Sequence, residues 1–146
     1  NLFRSARMAA SCGVILGLET MENDFMNTVE KAMEYVSEID SPYLGVYPDT
    51  GNISNAVEDV PGDLRRGAGH LFSAHLKETK PGIYRNLFFG EGKVDFPVIA
   101  DTLFDLGVLR FTAEFWCLPD RDAERELRAA YAFLSGILQR SAETHA

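Results

Sequence analysis

Glu19, Asp49, His75 and Glu114 follow one another at intervals of 30, 26 and 39 residues. Each falls at or near the end of a short apolar run: VILGLE, YLGVYPD, HLFSAHL and VLRFTAEF. Three carboxylates and one imidazole form an oxygen-rich set with a single nitrogen. Such a set suits one divalent ion, Mn²⁺, Zn²⁺, Co²⁺ or Mg²⁺, and disfavours metals that prefer thiolate. Three carboxylates exceed the charge of one dication, so the set is tolerable with an ion bound or with some carboxyls protonated. Taken singly, an acid at such a position is also a solvated or helix-capping residue. His75, between Ala74 and Leu76, is also compatible with a core histidine bonded to a backbone carbonyl. Four such residues, one per run and all at the same end, are harder to assign to structure alone.

For these side chains to meet, the four runs must be neighbouring strands that end on one face. Each run is followed by a segment of helical period. Phe25, Val29, Ala32, Met33, Val36 and Ile39 form the first apolar face, stopped by Asp40-Ser41-Pro42. A weaker segment spans residues 53–67 and is interrupted at Val60-Pro61-Gly62. The third runs from Phe96 to Leu106 with Val98, Ile99, Leu103 and Leu106 on one side and Gly107 as a C-terminal cap. The last, residues 120–140, aligns Leu127, Ala130, Tyr131, Leu134, Ile137 and Leu138. Four alternations predict an α/β fold of right-handed βαβ units, with a parallel sheet buried on both faces. A (β/α)₈ barrel takes roughly 250 residues, so 146 residues predict a (β/α)₄ half-barrel with its active site at the strands' C-terminal ends. Half a barrel leaves two apolar edges, to be paired by another half-barrel or by a second copy in a homo-oligomer. Asn1 opens inside a helical segment, NLFRSARMAASCG, without an initiator methionine, which predicts further chain upstream. No repeat or linker divides residues 1–146, which are expected to form a single unit.

Composition narrows the partners. There are 14 basic and 22 acidic residues, a net charge of −8, and no basic block able to neutralise a phosphate backbone, which argues against nucleic acid. Cys12 and Cys117 lie far apart without metal-binding spacing, and no leader or long apolar span is visible. A cytoplasmic protein with no membrane segment is expected. His70, at the start of its run, is expected at the far end from the acids, and His145 in a disordered tail.

The segments GVILGLETMENDFMN, YPDTGNIS, GHLFSAHLKETKPG, NLFFGEGKVDF and TAEFW resemble the sugar-phosphate isomerase/epimerase family of xylose-isomerase-like TIM barrels. Within it the likeness is to the L-ribulose-5-phosphate (L-xylulose-5-phosphate) 3-epimerases, also labelled hexulose-6-phosphate isomerases. The resemblance covers nearly the whole chain and implies the C-terminal half of the barrel, strands five to eight. It implies that Glu19, Asp49, His75 and Glu114 hold the metal. It further implies that Glu19 and Glu114 exchange the C3 proton of a ketopentose 5-phosphate through an enediolate, converting L-xylulose 5-phosphate to L-ribulose 5-phosphate. Glu78 departs from the aspartate usual in its segment, and the first half of the barrel is absent from these 146 residues.

A sugar phosphate also needs donors. Lys77, Lys80 and Arg85 fall in or near the loop after the third strand, where they are either phosphate contacts or surface cations. Asn52 bonds a sugar hydroxyl or caps the next helix. The long loop 78–95 carries FFGEG as a pocket wall or lid, with Glu91 a further contact for substrate or a neighbouring loop. Trp116 shields the pocket or packs beneath it. Two other readings compete with the epimerase: a non-catalytic, self-associating half-barrel, and an abasic-site endonuclease of the same superfamily. The latter would need more histidines and a basic groove.

Overall fold

The computed structural model describes all 146 residues. In chain order the elements are α1 (Leu2–Cys12), β1 (Leu16–Glu19), α2 (Val29–Ile39), β2 (Leu44–Tyr47), α3 (Thr50–Ala56), α4 (Val60–Arg65), β3 (Ala74–Lys77), α5 (Phe96–Asp105), β4 (Phe111–Glu114) and α6 (Ala123–Thr144). Helix starts follow side-chain capping. Thr28, Asp49, Asp59, Asp95 and Asp122 each accept a hydrogen bond from an amide two or three residues on. Phe25 precedes the Thr28 cap and is exposed, so it lies outside the stripe expected of α2. The weak second segment is two short helices, because Asp59 caps a new start with Pro61 in its first turn. At the exit of α5, Gly107 adopts φ +76° and its amide bonds the Phe104 carbonyl.

The strands are parallel. Leu16 pairs with Leu44 and Glu19 with Tyr47, while Ala74 pairs with Phe111 and Lys77 with Glu114. Instead of one continuous ladder the chain builds two pairs, β1–β2 and β3–β4. Isolated bridges, Val46 to Leu71 and Asp49 to His75, stitch them together. Pro48 has no N–H to donate, and regular β3 starts only at Ala74, four residues after the expected start at His70. His70 is exposed and offers its carbonyl to the Val46 amide at 2.8 Å.

The core lies between the strands and the helices that cover them, with Val29, Val36, Leu44, Val46, Ile53, Leu64, Ile99 and Leu103 almost wholly buried. Burial on both faces holds for the inner strands and not for the outer ones. Gly17, Thr112 and Ala113 are exposed, and Leu109 beside β4 is 72% exposed. Each outer strand has one neighbour only. Along the helices, Ala130, Leu134 and Ile137 face the core, whereas Leu127, Tyr131 and Val98 face outward. His145 is not disordered: it closes α6, with Nδ1 2.7 Å from the Ser141 carbonyl and Nε2 3.0 Å from Asp105. No helix is long and apolar enough to cross a membrane.

Candidate metal centre

Asp49 follows β2 and caps α3, so one side chain serves both an element start and the site. Its Oδ1 accepts from the Asn52 amide at 2.9 Å, and its own amide donates to Thr20 Oγ1 at 2.8 Å. The residue is completely buried, yet Oδ2 has no hydrogen-bond partner. Glu19 and Glu114 are the last residues of β1 and β4, and His75 lies between them on β3. His75 Nδ1 is 2.8 Å from Glu19 Oε1 and 2.9 Å from Glu114 Oε2. Its ring meets Tyr47 edge-on at 4.6 Å, and Tyr47 is tied to β4 by a 2.9 Å hydroxyl contact with Thr112. One ligand atom from each of Glu19, Asp49, His75 and Glu114 falls within 4.8 Å of the others.

These residues fit a divalent ion. The orphaned Asp49 Oδ2 and two carboxylates converging on one imidazole nitrogen form a donor set that a cation satisfies. Burial pushes the Asp49 carboxyl up to about 7 against the opposing pull of Lys77 and the Asn52 amide. Glu22 joins the group from the turn after β1. Burial acts upward on its carboxyl, but hydrogen bonds from Arg85 and Lys77 outweigh it and hold the group below its ordinary value.

The candidate substrate contacts divide. Lys77 is not in the loop: it closes β3, is 2% exposed and faces the acids. Its Nζ lies 3.0 Å from Asn52 Oδ1, 3.2 Å from Glu22, 3.3 Å from Glu114 and 3.4 Å from Asp49. Burial works against its charge, and the Asp49 and Glu114 carboxylates more than compensate, raising its pKa. Asn52 is engaged on both sides, donating to the Thr20 carbonyl at 2.9 Å and accepting from Lys77. Lys80 is exposed in a turn closed by backbone bonds with Ile83. Arg85 is exposed and bonds Glu22 at 3.1 Å. With Glu19, Glu22, Asn52, Lys77 and Glu114 it lines a cavity of about 350 Å³. Trp116 has Lys77 Nζ at 5.2 Å and Arg85 at 5.4 Å from its ring centre.

Apart from Arg85, the long loop keeps away from this cavity, and its FFGEG stretch is neither wall nor lid there. Glu91 accepts from the Phe88 amide at 2.9 Å, and none of Phe88 to Gly92 lines the space beside the acids. Phe89 is buried, its ring 5.5 to 6.1 Å from those of Phe96, Phe115 and Phe133. Glu78 is buried too and gathers the amides of Thr79 (3.0 Å), Gly90 (2.8 Å) and Val94 (3.2 Å).

The model of the xylose isomerase-like TIM barrel family matches residues 1–136. The chain belongs to that family. L-ribulose-5-phosphate 3-epimerase UlaE of Escherichia coli O139:H28 (strain E24377A / ETEC) is 37% identical over 131 residues, which is 89% of this chain and 46% of that protein. Among solved structures, an L-ribulose 3-epimerase superposes with a TM-score of 0.83 at 22% identity, covering 98% of this chain and 53% of the other. D-psicose 3-epimerase with D-tagatose from Clostridium cellulolyticum H10 gives 0.79 at 22% identity, covering 94% and 54%. The chain thus spans about half the length of the relatives it matches, and the structural likenesses establish an α/β, half-size xylose isomerase-like barrel fold.

Within this family member, Thr20 and Glu22 are the candidate-site neighbours that sequence reasoning passed over, and Lys77 is the residue it put in the loop when it closes β3 and is buried. The available signal was the two-residue period of a strand, which puts His75 and Lys77 on the same face.

Proposed function

We propose that residues 1–146 supply strands five to eight of a complete barrel whose reaction is metal-dependent 3-epimerisation of a ketopentose 5-phosphate, L-xylulose 5-phosphate to L-ribulose 5-phosphate. The observation that carries this reading is the approach of Glu19 and Glu114 to one nitrogen of His75 from strands on opposite sides, beside a buried Asp49. The name of the 37% identical relative supports the substrate class. A divalent ion bound by Glu19, Asp49, His75 and Glu114 would supply positive charge against the oxygens that become negative when the C3 proton leaves. One glutamate takes that proton and the other returns one to the opposite face, the roles exchanging with reaction direction. Asp49 holds its orientation through the Asn52 amide. Arg85, the exposed cation lining the cavity, is assigned to the anionic end of the substrate, while Lys77 is withdrawn from that role. The exposed, unpaired Cys12 and Cys117 accord with a reducing cytoplasm.

The test is NMR-detected deuterium incorporation at C3 of L-xylulose 5-phosphate in D₂O with Mn²⁺. The chain is assayed alone and mixed with the first half-barrel of the UlaE relative. Turnover that falls roughly 10²–10⁴-fold in Glu19→Gln or Glu114→Gln is expected. A folded, metal-loaded chain that is inert in both settings would instead be a self-associating half-barrel without catalysis.

A further inference from the structure

Lys77 is the least expected feature of the site: an ammonium buried to 2% exposure among groups that would hold a cation. Its Nζ has three protons and four acceptors, on Glu22, Asn52, Asp49 and Glu114, within 3.4 Å. Substrate therefore finds no free donor there. Asp49 Oδ2, without a hydrogen bond, has Lys77 as its paired cation. Glu114 is divided between two neighbours, with Oε1 toward Lys77 and Oε2 toward His75. The fold makes room for this arrangement. A Cβ at Gly51 would stand 2.7 Å from the Lys77 carbonyl oxygen and 3.0 Å from its Cγ, so only glycine lets the start of α3 close onto the lysine stem. Trp116 lies over the ammonium. Charge accounting agrees: Glu19, Glu22, Asp49 and Glu114 against Lys77 and Arg85 leave two negative charges, which one dication neutralises.

We propose that Lys77 is a resident cation of the metal centre, a positioning residue whose fixed charge holds Asp49 and Glu114 in place before an ion enters. The proposal rests on the metal-centre reading above. Acids this close would otherwise repel one another in the metal-free fold, and a buried carboxylate stripped of its partner is strongly destabilising.

Thermal melting of the chain in EDTA and in Mn²⁺ tests this. Lys77→Met keeps the stem and removes the charge. The melting midpoint in EDTA is expected to fall by roughly 10 °C. The Mn²⁺-induced rise is expected to exceed that of the parent chain, because the ion then supplies the missing charge. Lys77→Met/Asp49→Asn should recover at least part of the loss in EDTA, since it removes the stranded acid. Equal falls in EDTA and Mn²⁺ with no recovery in the double variant would overturn the proposal. If Lys77→Met does not fold, folding of the double variant supports it and failure of both overturns it. A parent chain indifferent to Mn²⁺ would sink the metal-centre reading, and the EDTA comparison of single and double variants would still judge Lys77.

Discussion

At His75 a single ring nitrogen lies within 2.9 Å of two carboxylate oxygens, and one N–H cannot satisfy both well. The neighbouring Asp49 has the complementary problem, a buried oxygen that makes no hydrogen bond and has only the Lys77 ammonium, 3.4 Å away, beside it. Its carboxyl, pushed up to about 7 from an ordinary 3.8, binds a proton more tightly folded than unfolded. Its contribution to the stability of the metal-free chain is therefore fully present below about pH 3.8 and is lost as pH rises to about 7. Urea unfolding in EDTA should show that decline between about pH 4 and pH 7, and Asp49→Asn should flatten it. With Mn²⁺ present the sign reverses, because the ion needs the carboxylate and competes with the proton. The identities of Glu19, Asp49, His75 and Glu114 could be picked from the sequence, since each interrupts an apolar run at its end. The isolation of Asp49 Oδ2 could not, because it depends on what packs around it.

The elements were legible where short-range pattern sets them: the apolar faces within residues 29–39 and 96–106 are α2 and α5, and Gly107 ends the latter. The capping side chains Thr28, Asp95 and Asp122 were passed over, and the first face was begun too early, at Phe25. The loop after β3 was not legible in this way. Glu78 looked like a mild departure within a substrate-binding segment, and it is instead a buried clasp that binds both ends of the loop through three amides. Gly92 makes room for it: a Cβ there would stand 2.0 Å from Glu78 Oε1. Glu78→Ala strands those amides and should cost roughly 3 kcal/mol. Hydrogen exchange at Gly90 and Val94 should quicken, while α1 and α2 keep their protection. Unchanged exchange at these two amides would show that the Phe89 aromatic contacts hold the loop unaided.

For the molecule as a whole, the outer strands matter most. β1 and β4 each pair on one side only, and Val14, Ile15 and Leu109 beside them are 51%, 50% and 72% exposed. Unpaired strand edges flanked by apolar side chains invite another sheet. The 146-residue chain is expected to associate with rising concentration in sedimentation velocity, and Leu109→Asp should weaken that association. The first half-barrel of a relative should suppress it by occupying the same edges; a chain that stays monomeric throughout would refute edge pairing. From its residue order alone, this protein was determined to be a parallel α/β half-barrel with three acids and a histidine at the strand ends. Periodicity, capping residues and strand endings are properties of short stretches. Tertiary structure alone decided that the sheet is two stitched pairs, that Glu78 faces amides, and that Lys77 is an internal counter-ion. Each of those depends on which distant segments become neighbours and on how much water they exclude.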